Sequence, residues 1–202
     1  MIKIEQWLPL LRPWAGALAI ALAVGSCSSS PSGPPRAQDD ICEIFAERPG
    51  WREAVYDSAL RWGAPVEVQM AIIWRESSFQ GKIRPPKKYA MGFIPWGRAS
   101  SAYGYAQALD STWDWYKRES GNSGADRDDF DDAADFVGWY MAKTLVTNGV
   151  LMHDAFNQYL AYHEGHTGFK RGDWRGKDWL QSAATRVADQ ALRYRGQLRQ
   201  CS

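Results

Sequence analysis

Apolar side chains in this chain recur at helical spacing and run, stretch after stretch, into a glycine, a pattern that restricts it to a helical fold. Trp51, Val55, Ala59 and Trp62 form a stripe along one helix face that stops at Gly63. Pro65 suits the first turn of a second helix reaching about Phe79, with Met70, Ile73 and Trp74 on its apolar face. Asp110-Ser111-Thr112 reads as the cap of a short helix carrying Trp113 and Tyr116. Phe130 to Leu145 sets Phe136, Val137, Tyr140 and Met141 on one face, with Gly149 just beyond its end. Asp154 to Glu164 runs through Phe156, Tyr159 and Leu160 and stops at Gly165, and Trp179 to Leu198 closes the chain. No alternating apolar run of strand length competes, and no internal repeat is visible. The expectation is a mainly α fold. At 202 residues and 45% hydrophobic content the chain suits one globular domain, or one domain plus a tail.

Two stretches break the helical pattern. Gly81 to Tyr103 contains three prolines and three glycines, too many for the interior of an element, and reads as a long irregular loop. It carries Lys82, Arg84, Lys87, Lys88 and Arg98, interleaved with Tyr89, Phe93, Trp96 and Tyr103, and no acid occurs from Gln80 through Leu109. Loops of this length inside a compact domain are usually functional or disordered. Gly121 to Asp129 is a polar loop leading into an acidic run that ends at Asp135; it complements a helix N-terminus and reads as solvated surface. The net charge of +1 argues against a nucleic-acid partner held by bulk electrostatics. Eleven tryptophans, Trp 11 in 202 residues, ask for large amphipathic rings in the core, on a binding surface, or both.

The N-terminus reads as an export signal over residues 1–26. Lys3 and Arg12 precede or flank a short apolar stretch, Ala15 to Val24, too short to span a bilayer. Val24-Gly25-Ser26-Cys27 is the apolar-small-small-cysteine pattern at which bacterial signal peptides are cut so that the cysteine carries lipid. Ser28, in place of an aspartate, is similar to the rule for outer-membrane sorting. The expected location is therefore the periplasmic face of the outer membrane, with membrane contact through lipid on Cys27. Residues 27–38 are rich in Ser, Pro and Gly and hold too few apolar groups to repay ordering, so a disordered tether is expected there and the folded domain over 39–202. Cys42 and Cys201 stand near opposite ends of that domain. Export to an oxidising compartment makes them a candidate disulfide, the alternative being two buried thiols.

The chemistry lies in three short motifs. Glu76 stands near the end of an otherwise apolar helix, in Ile72-Ile73-Trp74-Arg75-Glu76-Ser77, a carboxyl against aromatic and aliphatic neighbours. Desolvation there disfavours the charged form and raises the pKa, as a general acid for glycosidic cleavage requires. A cation beside it would undo that effect. Downstream stand Gly104-Tyr105-Ala106-Gln107 and Ala161-Tyr162-His163-Glu164-Gly165.

This ordered trio resembles the lysozyme-like lytic transglycosylases, which carry Glu-Ser at a helix end, then Gly-Leu-Met-Gln, then Ala-Tyr-Asn-Ala-Gly. The resemblance covers about Trp51 to Tyr194 and implies a single goose-type lysozyme-like helical domain with a long irregular loop after the catalytic helix. It implies that Glu76 is the sole catalytic acid and base, cleaving peptidoglycan between N-acetylmuramic acid and N-acetylglucosamine with attack by the sugar's own 6-hydroxyl. It further implies substrate contacts by Ser77, Gly104, Tyr105, Gln107, Ala161 and Tyr162, with Tyr162 orienting the Glu76 carboxyl, and it implies no cofactor. Tyr105-Ala106 and His163-Glu164 depart from the family pattern. Ala188 stands where a C-terminal tyrosine is expected, and Tyr194 comes several residues late. The gap between Glu76 and Gly104 is long, consistent with an insertion whose Lys87, Lys88 and Trp96 are expected to meet peptide stems and sugar faces along the groove.

Two other readings remain. A goose-type lysozyme-like hydrolase would share the fold and acid but use water, needing a second carboxylate from Asp110, Glu119 or Glu164. A non-catalytic peptidoglycan-binding lipoprotein would keep the groove alone. His163, Glu164 and His166 do not have zinc-protease spacing, so no metal site is expected. Asp110 is expected as an N-cap, and Trp113, Trp115 and Trp139 as core and groove wall.

Overall fold

A computed structural model of the chain describes residues 33–91 and 94–201. The expected signal segment, Cys27 and the first part of the expected tether lie outside the described residues. Among the described residues, seven helices and one two-stranded sheet follow in order: α1 Ile41–Glu47, α2 Pro49–Trp62, α3 Val66–Ser77, β1 Lys87–Ala90, β2 Ile94–Arg98, α4 Asp110–Ser120, α5 Phe130–Asn148, α6 Ala155–Arg171 and α7 Asp178–Leu198. The fold is mainly α.

The core is built around α3 and α5, each apolar on most of its circumference. Ten residues of α5 are buried, and Gly138 lets α2 approach closely: a Cβ there would lie 2.2 Å from Ser58 Oγ. Ser58 instead donates to the Ala134 carbonyl at 2.9 Å. Helix α7 packs on α3 and α6 through Leu180, Ala183, Ala184, Val187 and Ala191, all buried and spaced to share one face. With α7 on it and α5 nearby, α3 buries Val66, Val68, Met70, Ala71, Ile72 and Ile73. A helix so enclosed delivers its last residues to the interior edge of the domain rather than to open solvent. Much of the tryptophan content is structural. Trp113, Tyr116, Phe136 and Trp139 are buried together, and Trp115 meets Trp139 edge-on at 4.7 Å.

Several expectations are corrected. Gly81 to Tyr103 is not wholly irregular: β1 and β2 pair antiparallel, with Lys87 opposite Arg98 and Tyr89 opposite Pro95. A shift in register between Lys87 and Tyr89 and an outer position on a two-stranded ribbon accommodate the proline. Gly165 does not end α6. Its φ of 72° and ψ of 158° break the helix for one residue, after which the chain turns helical again to Arg171. Leu109, not Asp110, caps α4 and offers no side-chain hydrogen bond; Asp110 instead pairs with Arg127 at 2.8 Å.

The acidic run is more than solvated surface. Asp129 caps α5, and Asp135 accepts from Trp62 Nε1 at 2.6 Å and the Tyr116 hydroxyl at 2.7 Å. Residues 33–38, expected within the tether, lie against the domain: the Gly33 carbonyl accepts from Arg48 at 2.8 Å and the Gln38 carbonyl from Tyr194. These carbonyls satisfy buried donors, which sets the ordered start ahead of Asp39. Cys42 and Cys201 form the disulfide, Cα atoms 5.7 Å apart. It ties α1 to the end of α7, where Ile41 N–H also donates to Gln197 Oε1 at 3.0 Å.

Candidate active site

Glu76 is the penultimate residue of α3, half-buried, and opens onto a cleft of about 330 Å³. Burial raises its pKa to about 7; a hydrogen bond from Tyr159 and the charge of Arg75 pull the other way and are outweighed. A cation beside the carboxyl does not undo the effect here: the Arg75 guanidinium is present and desolvation still wins. The position at a helix C-terminus, the negative end of the macrodipole, acts in the same direction as burial. The chain then turns sharply. Ser78 and Phe79 both adopt left-handed backbone, φ 50° and 59°, at a cost of about 1 kcal/mol or more each. Phe79 is held there by burial against Trp51, ring centroids 5.7 Å apart.

The Gly104–Gln107 turn supplies the facing wall. Only glycine fits at Gly104: its φ is +82°, and a Cβ would lie 1.9 Å from the Arg127 carbonyl oxygen. The next amide, Tyr105 N–H, donates to that same oxygen at 3.1 Å. Gln107, itself left-handed at φ 47°, lines the cleft. Its Nε2 donates to the carbonyls of Ile83 at 3.1 Å and Gly104 at 2.8 Å, which fixes the amide with both donors spoken for and Oε1 as its acceptor. Ile83 is one foot of the segment that carries the hairpin and Ala102, which lines the cleft, is the other. The hairpin therefore stands on residues that touch or hold the cleft. Next to the feet, Arg84 covers the Tyr103 ring at 3.8 Å and the Tyr103 hydroxyl donates to Asp128 at 2.9 Å.

Helix α6 brings the third motif. Tyr162 lines the cleft, and its hydroxyl donates to the Ala106 carbonyl at 2.6 Å, locking α6 to the Gly104–Gln107 turn. The phenol bonded to Glu76 belongs to Tyr159, one turn earlier on the same face. Burial and the nearby Glu76 charge push the Tyr159 pKa up, so it remains a donor. Tyr140 of α5 also lines the cleft, its ring stacked on His166 at 4.5 Å. Neither Tyr159 nor Tyr140 was singled out for the site from the sequence. The spacing of three between Tyr159 and Tyr162 was the available signal.

The remaining expected residues divide plainly. Glu76, Gln107 and Tyr162 share the cleft. Ser77 is buried and its hydroxyl bonds back to the Ile73 carbonyl at 3.2 Å. Tyr105 packs edge-on against Trp51 and Phe130 at 5.6 and 5.3 Å. Ala161 is buried and its carbonyl accepts from Tyr140. These three and Gly104 shape the cleft from behind its lining. Lys87 is exposed at the start of β1; Lys88 and Trp96 lie on the strands, with side chains outside the described set. Tyr194 is buried in the core, and Ala188 is half-buried on α7.

Of the three carboxylates named as a possible second catalytic group, Asp110 pairs with Arg127 and Glu119 with Lys143. Glu164 lines the same cleft as Glu76. Its side chain is 5% exposed and accepts both 2.8 and 2.7 Å hydrogen bonds from Lys177 Nζ, with His163 Nδ1 3.2 Å away. His166 points elsewhere, its Nε2 3.0 Å from Thr144 Oγ1. Among the described residues no group of His, Cys, Asp or Glu is arranged to hold a metal ion.

Residues 15–201 match the family described as Transglycosylase SLT domain. No curated protein and no solved structure matches the chain.

Proposed function

The chain belongs to the Transglycosylase SLT domain family, and on that premise we propose that it cleaves the β-1,4 bond between N-acetylmuramic acid and N-acetylglucosamine, leaving a 1,6-anhydro end, with Glu76 as sole acid and base. Family membership itself makes the chain a glycan-cleaving lytic transglycosylase. Supporting the residue assignment is one observation above all: a carboxyl held to about pKa 7 at the wall of a cleft. About half the molecules then carry the proton at neutral pH.

In this reading the Glu76 proton passes to the glycosidic oxygen as the bond to the muramic acid C1 breaks. Arg75 and Tyr159, which oppose the neutral acid, favour the carboxylate that results. That carboxylate takes the proton of the 6-hydroxyl as its oxygen bonds to C1, and the acid is restored. No protein nucleophile is required, because the substrate's acetamido group can support the oxocarbenium-like centre. Gln107 Oε1 accepts from the sugar, and the Lys87–Lys88 hairpin meets the carboxylates of peptide stems. The enzyme is anchored by lipid on Cys27 at the periplasmic face of the outer membrane; incorporation of labelled palmitate, lost on Cys27→Ala, tests this.

A second reading, hydrolysis by water, is favoured by Glu164 in the same cleft. Both of its oxygens are already engaged by Lys177 Nζ, so transglycosylation ranks first. Mass spectrometry of digested peptidoglycan separates the two: anhydro ends for the transglycosylase, reducing ends for the hydrolase. Glu76→Gln should abolish cleavage while the protein still sediments with cell wall. Cleavage at the wild-type rate by that variant would remove Glu76 from the mechanism.

A further inference from the structure

The cleft beside Glu76 is small. At about 330 Å³ it sits at the low end for a pocket enclosing a small ligand, so a glycan strand has to run out over its walls. We propose that one such extension is a carbohydrate-binding subsite at the break in α6 and the start of α7, where the indole of Trp179 stacks on a sugar ring and His163 supplies the polar contact. This rests on reading the cleft as a glycan-cleaving site.

Trp179, the second residue of α7, is 57% exposed. A large amphipathic ring left in water forgoes the burial that usually places tryptophan inside. Beside a saccharide cleft it matches a ligand with an apolar C–H face and a hydroxylated edge. The ring is continuous with the cleft: it meets the His163 ring edge-on, centroids 5.1 Å apart at 77°, and His163 lines the cleft wall.

The pair is also braced. Glu164, almost fully buried, binds Lys177 two residues before Trp179 and lies 3.2 Å from His163 Nδ1. One carboxylate thus ties the α6 side of the subsite to the α7 side. Gly165, with its φ of 72° and ψ of 158°, lets the helix break at this point, in backbone geometry open essentially to glycine alone. With Nδ1 engaged by the carboxylate, Nε2 is the ring nitrogen left to accept from a sugar hydroxyl or acetamido N–H. Glu164 lines the cleft and, through Lys177, braces the segment that carries the exposed aromatic.

The test uses the full domain carrying Glu76→Gln, so that ligand survives, and calorimetric titration with a GlcNAc hexamer. Adding Trp179→Ala should weaken binding about tenfold, while Trp179→Phe retains most of the affinity. Because Trp179 is exposed, both variants should melt with the parent. Unchanged affinity in the alanine variant, or equal losses in the alanine and phenylalanine variants, would overturn the subsite while leaving the cleft reading intact. A Glu76→Gln parent that binds no hexamer would overturn both.

Discussion

Replacing Glu76 with glutamine should stabilise the protein, and only above the pH at which an ordinary carboxyl ionises. The carboxyl moves from 4.5 to about 7 on folding, roughly two and a half pKa steps at about 1.4 kcal/mol each, or about 3 to 3.5 kcal/mol. Below 4.5 folded and unfolded chains both hold the proton and Glu76 contributes no pH-dependent difference. Between 4.5 and about 7 the unfolded chain releases the proton while the folded chain keeps it, so stability falls as pH rises. Above about 7 both are ionised and the whole cost is felt. Glutamine keeps the shape and a hydrogen-bond acceptor for Tyr159 but never ionises. Urea unfolding of both proteins across this range should give a gap near zero in acid, growing to about 3 kcal/mol in mild alkali. For a domain of this size the alkaline gap corresponds to roughly 6–12 °C in Tm. A gap that is constant with pH, or widest in acid, would refute the burial argument.

Other substitutions probe the supports of the site. Tyr159→Phe removes a donor that favours the Glu76 carboxylate, so the alkaline limb of the kcat/KM profile should move to higher pH; movement to lower pH would contradict the assigned contact. Gly104→Ala forces a Cβ into the Arg127 carbonyl at positive φ and should cost roughly 2–4 kcal/mol by chemical unfolding, with a cost under about half a kcal/mol contradicting the tight turn. The oxidised domain should show no reactive thiol at Cys42 or Cys201. Changing both to serine should lower stability by up to about 5 kcal/mol, the chain-entropy value for closing so long a loop.

Helices whose apolar stripe ended in a left-handed glycine were legible almost to the residue. Gly63 and Gly149 cap α2 and α5 in αL geometry, as their places in the sequence suggested. Gly165 has the same local signature, yet its backbone serves as a one-residue break inside a longer helix; whether a chain stops or resumes after such a glycine depends on what packs beyond it. Helix α1 offers too short a stripe to register. The hairpin was hidden by prolines and glycines that tolerate an exposed two-stranded ribbon but look like loop. The family resemblance picked out Glu76, Gln107 and Tyr162, and these three share one cleft. It did not separate lining from backing: Ser77 and Tyr105 sit within the motifs but pack behind the wall, while Tyr140 and Tyr159 line or hold the site from positions that an apolar stripe assigns to core. That distinction depends on which neighbouring helix covers a face, which is a tertiary fact.

The most direct measurement is the ionisation of Glu76 itself. Carbon-detected NMR of the side-chain carboxyl, assigned by comparison with Glu76→Gln, should show a titration midpoint near 7. A midpoint near 4.5 for Glu76 would mean that burial does not hold the proton, and a sheltered general acid in this cleft would have to be given up.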